Sequence, residues 1–111
     1  MSQGVLDLEV HREGAVYLFV AQGEVDLANA AELERRLCDP LLSDVPRVLD
    51  LGRLRYLDSA GFRALHRAAR AGPLVLVVPE AARVARTVEL AGFAQVVPVV
   101  RSVDEALARS G

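Results

Sequence analysis

Arg47-Val48-Leu49-Asp50-Leu51-Gly52-Arg53-Leu54-Arg55-Tyr56-Leu57-Asp58-Ser59-Ala60-Gly61-Phe62 decides how this chain is read, because its two ends obey different periodicities. Val48, Leu49 and Leu51, interrupted by Asp50, make a short aliphatic strand. From about Ser59 to Ala71 the sequence predicts a helix, with Phe62, Leu65, His66 and Ala69 on one inward face and Gly72-Pro73 as its stop. Between them, Tyr56 to Gly61 forms a loop in which Asp58 or Ser59 caps the helix. A strand that feeds a helix through so short a loop is the building unit of an α/β domain.

The flanking sequence repeats that unit. Upstream, Val5, Leu6, Leu8 and Val10 mark a first strand, Glu13-Gly14 a turn, and Ala15 to Ala21 a second strand, which together read as a hairpin. Asn29-Ala30-Ala31-Glu32 fits a capping box, with Ala30, Leu33 and Leu37 on one helical stripe that Pro40 ends. Downstream, Leu74-Val75-Leu76-Val77-Val78 has no polar alternation, as expected of a strand covered on both faces. A third helix is expected from about Ala81 to Ala91. Gly92 is its left-handed cap, and Phe93 folds back on Val88. Val96 to Val100 reads as a last strand, with Pro98 placing it at an edge or a strand end. Ser102-Val103-Asp104-Glu105 opens a short C-terminal helix. The order is ββαβαβαβα: a mixed, mostly parallel sheet covered by helices on at least one face, in one domain spanning residues 1–111.

Composition narrows the function. The chain is 52% hydrophobic and only 5% aromatic, so its core is aliphatic. A net charge of −2 leaves no basic footprint for a nucleic-acid backbone. All 13 basic residues are Arg, which removes chemistry that depends on a lysine. A lone Cys38 makes neither an internal disulfide nor a metal site, and the carboxylates have no His or Cys beside them to complete a metal set. No apolar run approaches the ~20 residues that span a bilayer, and no leader-like segment opens the chain, so a cytoplasmic protein without membrane insertion is expected.

Polar residues that packing does not demand collect at two strand ends. These are Gly23-Glu24-Val25-Asp26 and Tyr56-Leu57-Asp58-Ser59-Ala60-Gly61. In a shared sheet the two loops would bring Asp26, Asp58 and Ser59 into one surface patch. Ser59 reads either as a helix cap or as an acceptor of phosphate, which a helix start tolerates because free N–H groups and the dipole favour negative charge. Catalysis is not expected. Leu57 stands where a nucleophile elbow carries glycine, and His66 lies about 10 Å of helix rise from Ser59. His11 sits in the first strand, and there is no glycine-rich phosphate loop.

The strand, loop and helix from Arg47 to Phe62 resemble the signature of STAS domains. Gly23-Glu24-Val25-Asp26 resembles the family's second-strand motif, and Val88-Glu89-Leu90-Ala91-Gly92-Phe93 its helix-ending turn. The resemblance covers nearly the whole chain. It implies an anti-sigma factor antagonist: a cytoplasmic, cofactor-free binding protein that sequesters a serine-kinase anti-sigma factor and so frees a sigma factor for transcription. Carried over by position, Ser59 is the residue the kinase phosphorylates and a phosphatase restores, Asp58 is the motif carboxylate, and Asp26 lies beside the phosphosite. ATP and Mg²⁺ belong to the kinase. Glu24, Asp26, Asp58, Ser59, Phe62 and Arg63 are the expected partner-binding residues. Two of these depart from the family pattern: Phe62-Arg63 stands where many members have Leu-Gly, with Phe62 either core or a partly exposed contact. Ala60 leaves Ser59 as the motif's one hydroxyl. The alternative within the family is a STAS subunit of a lipid-transporting ABC complex, which needs no phosphorylation. Nucleotide binding at the same loops is a weaker reading.

Overall fold

The computed structural model describes residues 5–42 and 44–110. Five strands, β1 (Leu6–Glu13), β2 (Val16–Val25), β3 (Arg47–Leu57), β4 (Leu74–Val77) and β5 (Val99–Val100), form one sheet in the order β1-β2-β3-β4-β5. The hairpin pair β1–β2 is antiparallel, and every other pair is parallel. Four helices, α1 (Ala30–Leu37), α2 (Ser59–Arg70), α3 (Ala85–Leu90) and α4 (Val103–Ser110), complete the expected ββαβαβαβα order.

Both faces of the sheet are covered. Phe19, Ala21, Leu49, Leu51, Leu76 and Val78 point to one side, where Leu33 and Leu37 of α1, Leu65 of α2 and Val88 of α3 pack on them. The alternate residues Leu18, Val48, Val75 and Val77 point to the other side, where Ala106 of α4 closes a smaller core. The uninterrupted apolar run of β4 therefore serves both cores, as its lack of alternation predicts.

β3 runs six residues past the Leu51 at which its alternation stops. Its pairing with β2 shifts register twice, between Val20/Gln22 and between Gly23/Glu24, and each time β3 takes up one extra residue. The two shifts keep Leu51, Leu54 and Leu57 on the same buried face at a spacing of three, while Arg53, Arg55 and Tyr56 stay exposed. Gly23 lies at a φ of +104°, and a Cβ there would collide with the Val5 carbonyl, which accepts from Glu24 N–H at 2.9 Å.

Several local expectations need correction. α3 covers only Ala85–Leu90, preceded by turns, and the last strand shrinks to Val99–Val100 because a 3₁₀ turn occupies Phe93–Gln95 and Pro98 lacks the N–H to extend the ladder. Gly92 is left-handed as expected, at φ +67°. The Asn29–Glu32 capping box does not form: Asn29 makes no capping bond to the helix, and Glu32 is held by Arg35 at 2.6 Å. His66 is exposed and not inward. The inward stripe of α2 is Ala60, Gly61, Ala64, Leu65 and Ala68, because small residues let the helix sit close to the sheet and turn His66 to the far side.

Arg47, the first residue of β3, is 2% exposed and, among the described residues, pairs with no carboxylate. Its guanidinium donates to the carbonyls of Leu37 (2.6 Å), Ala68 (2.7 Å) and Gly72 (2.9 Å). The Ala68 carbonyl also accepts from Ala71 N–H at 3.2 Å, so there the guanidinium adds a second bond, and one cation serves the C-terminal ends of both α1 and α2, where the helix dipoles favour positive charge. Burial pulls its pKa below the usual arginine value, with the nearby Cys38 acting in the opposite direction.

Candidate functional site

β2 and β3 lie side by side and parallel, so their last residues, Val25 and Leu57, are partners. The chain leaves the sheet there twice, into α1 and into α2. Asp58 N–H donates to the Val25 carbonyl at 3.3 Å, which fixes the two exits against each other. The expected convergence of the Gly23–Asp26 and Tyr56–Gly61 segments is therefore present, at the carboxyl end of the parallel strands.

Each carboxylate in this patch has a local task. Asp58 is the cap of α2: its Oδ1 accepts from Gly61 N–H at 3.1 Å. Asp26 Oδ1 accepts from Ala28 N–H at 2.9 Å, and the Asp26 carbonyl accepts from Ala30 N–H at 2.8 Å, which turns the chain into α1. Asn29 stitches that loop, its Oδ1 accepting from Asp26 N–H at 3.0 Å and its Nδ2 donating to the Glu24 carbonyl at 2.9 Å. Glu24 faces Arg55 across the strands at 3.8 Å.

Ser59 is then the first helical residue and exposed, with the cap role already taken by Asp58. The choice the sequence leaves between Asp58 and Ser59 resolves in a way that frees the serine hydroxyl. Gly61 allows this geometry. A Cβ at that position would run into Leu57 Cδ1 and come within 2.9 Å of Val25 Cγ1, so only glycine lets α2 begin directly over the two strand ends.

Phe62 and Arg63 follow one turn after the serine on neighbouring faces of the helix, and both border a shallow depression with His66 and Phe93. Phe62 is half-buried and packs on Phe93, with ring centroids 5.5 Å apart, so it is both core and partial surface. Arg63 is exposed and lines a groove of about 160 Å³ between α1 and α2. Ala30, Ala31, Ala60 and Ala64 form much of that groove, and Glu34 and Arg67 bridge it at 3.2 Å. The exposed apolar residues nearest the patch, Leu27 (78%) in the loop before α1 and Tyr56 (50%) at the end of β3, are not among the expected site residues. A large apolar side chain in an otherwise polar loop signals Leu27 in the sequence.

Among the described residues, no group of three or more His, Cys, Asp or Glu side chains is placed to hold a metal. His11 bonds to Glu9 at 3.3 Å on the hairpin. No helix of the described chain is long and apolar enough to cross a membrane. The patch is a surface: an exposed hydroxyl at a helix start, ringed by fixed carboxylates, two apolar contacts and a cation.

A family model for the STAS domain matches residues 7–106. A protein of Bordetella bronchiseptica, BtrV, whose name carries the words anti-sigma factor antagonist, is 39% identical over 93 residues, covering 78% of this chain and 79% of that protein. The fold is similar to the crystal structure of an anti-sigma factor antagonist from Mycobacterium paratuberculosis, with a TM-score of 0.84 at 22% identity over 96% of this chain and 94% of that one. It is also similar to the Bacillus cell fate determinant SpoIIAA, solved in its phosphorylated form, with a TM-score of 0.63 at 16% identity over 95% of this chain and 98% of that one.

Proposed function

The chain belongs to the STAS domain family, and from that premise we propose that it is an anti-sigma factor antagonist: a regulatory binding protein, not an enzyme, that sequesters a serine-kinase anti-sigma factor and is turned off by phosphorylation of Ser59. The observation that carries this reading is the position of Ser59. It is exposed at the first turn of α2, its neighbour Asp58 already caps the helix, and the Glu24–Asp26 loop lies alongside.

The chemistry required of this chain is small. The serine Oγ attacks the γ-phosphorus of the kinase's ATP, the new O–P bond forms as the bond to the ADP leaving oxygen breaks, and the hydroxyl proton passes to a base of the kinase. The product gains a charge of about −2 at neutral pH. Two features keep the fold intact through that change. The α2 N-terminus favours an anion, and the cap does not depend on the residue being modified. The effect falls on the partner instead. With Asp26, Asp58 and Glu24 already on the surface, a phosphate makes the patch repel an acidic docking face and fills the space over the first turn.

The experiment is a binding comparison. The kinase-type anti-sigma factor is titrated with the unmodified chain and with chain carrying phosphoserine installed at position 59 during translation. Tight binding by the first and a loss of at least about 100-fold in the second, roughly 2.7 kcal/mol, is the expected result. Equal affinity of the two forms refutes the switch.

A further inference from the structure

Arg63 and Ser59 lie four residues apart on the exposed side of α2, a spacing that sets their Cβ atoms about 6 Å from each other. Helical side chains lean toward the N-terminus, so Arg63 reaches back over the turn that Ser59 begins. The guanidinium has no competing acceptor in hand among the described residues. The carboxylates of the patch are held by other groups, Asp58 Oδ1 by Gly61 N–H and Asp26 Oδ1 by Ala28 N–H, while Glu24 faces Arg55, and none of them is paired with Arg63. The next cation along the helix, Arg67, is taken by Glu34 at 3.2 Å.

We propose that Arg63 is the intramolecular counter-ion of phosphorylated Ser59, and that modification therefore withdraws a cation from the docking face as well as adding an anion to it. This rests on Ser59 being the phosphate acceptor. In the unmodified protein Arg63 stands at the edge of the α1–α2 groove, beside the small floor made by Ala60 and Ala64, and is available to a carboxylate of the partner. Once Ser59 carries phosphate, the dianion offers Arg63 a permanent, fork-matched acceptor one turn away. The partner's carboxylate loses its cation to a covalently attached rival. A glycine at position 63 would leave only repulsion to operate. Arginine makes the same modification act on both charges of the contact.

The test needs no partner, so its failure is separable from failure of the binding experiment above. The chain with phosphoserine installed at position 59 is titrated by ³¹P NMR through the second phosphate ionisation, ordinarily near 6. A neighbouring cation favours the dianion and lowers that pKa. Arg63→Ala is expected to raise it by about 0.3–0.6 unit at low salt, the scale of an exposed helical ion pair with a doubly charged acceptor. Arg63→Lys should raise it by less, and about 0.5 M salt should close the gap between the forms. Arg67→Ala, two turns from the serine, should leave the titration unchanged. Circular dichroism of each variant checks that α2 is intact. If the Arg63→Ala and parent phosphoproteins titrate within about 0.1 unit of each other, the proposal is wrong.

Discussion

Replacing Arg47 with methionine isolates the contribution of a buried cation whose partners among the described residues are backbone carbonyls. Methionine keeps an unbranched apolar stem but stops short of the guanidinium position, so the change removes donors and charge while retaining most of the stem's packing. Three carbonyls lose this donor: Leu37 at the end of α1, Gly72 just past α2, and Ala68 in its last turn, which keeps the bond from Ala71 N–H at 3.2 Å. A hydrogen bond from a charged donor contributes about 1.5–3 kcal/mol, and an acceptor left buried and unpaired costs about 1–3 kcal/mol. Part of the gain in the parent is already consumed by desolvating the guanidinium, the same burial that lowers its pKa. The arginine still carries its proton at neutral pH, because its ordinary value lies so far above 7. With that offset, the expected loss is about 3 kcal/mol. For a domain of this size it lowers the melting temperature by roughly 12–20 °C. Urea denaturation followed by far-UV circular dichroism measures it directly. Arg47→Lys should lose about half as much, since one ammonium cannot serve three carbonyls in the planar fork. A methionine variant within about 1 kcal/mol of the parent would refute the account, because it would mean that water or chain relaxation satisfies those helix ends just as well.

Two further substitutions test how the site is held. Gly61→Ala sets a gain in helix propensity of about 1 kcal/mol against a clash with Leu57 and Val25, both enclosed in the core. The clash should win, with net destabilisation of about 1–2 kcal/mol and chemical-shift changes centred on residues 57–62; a stabilised variant contradicts the packing described for the start of α2. Asp58→Ala removes the cap bond to Gly61 and should cost about 1 kcal/mol, whereas Asp58→Asn, which keeps an acceptor, should cost a few tenths. Equal losses for the two, read by chemical denaturation, would mean that the carboxylate's charge matters more than its hydrogen bond.

The order of elements was legible in the sequence because burial is periodic along the chain. Leu74 to Val78 announces a strand covered on both sides, and Ala30, Leu33 and Leu37 announce a helix with one buried face. The two motif segments also come together in the fold, since parallel neighbours β2 and β3 end side by side at Val25 and Leu57 and Asp58 N–H bonds to the Val25 carbonyl. Local sequence could not give the second half of β3, where leucines at 51, 54 and 57 share a face only because two register shifts against β2 reset the alternation. Nor could it orient α2. Apolar bulk points to Phe62 and Leu65, but close approach to the sheet selects the alanines and glycine for the inward stripe and leaves His66 outside. Arg47 is the clearest case. In the sequence it is one more charged residue at a strand start, and its partners lie 10, 21 and 25 positions away. The chain itself determined which segments are strands and helices, and which serine stands at a helix start. Tertiary structure decided that Asp58 and not Ser59 would cap that helix, that Arg63 would be left without an acceptor among the described residues, and that a buried arginine would bond to the ends of two helices at once. Those outcomes depend on which backbone groups remain unpaired after packing, and that is a property of the assembled sheet and helices.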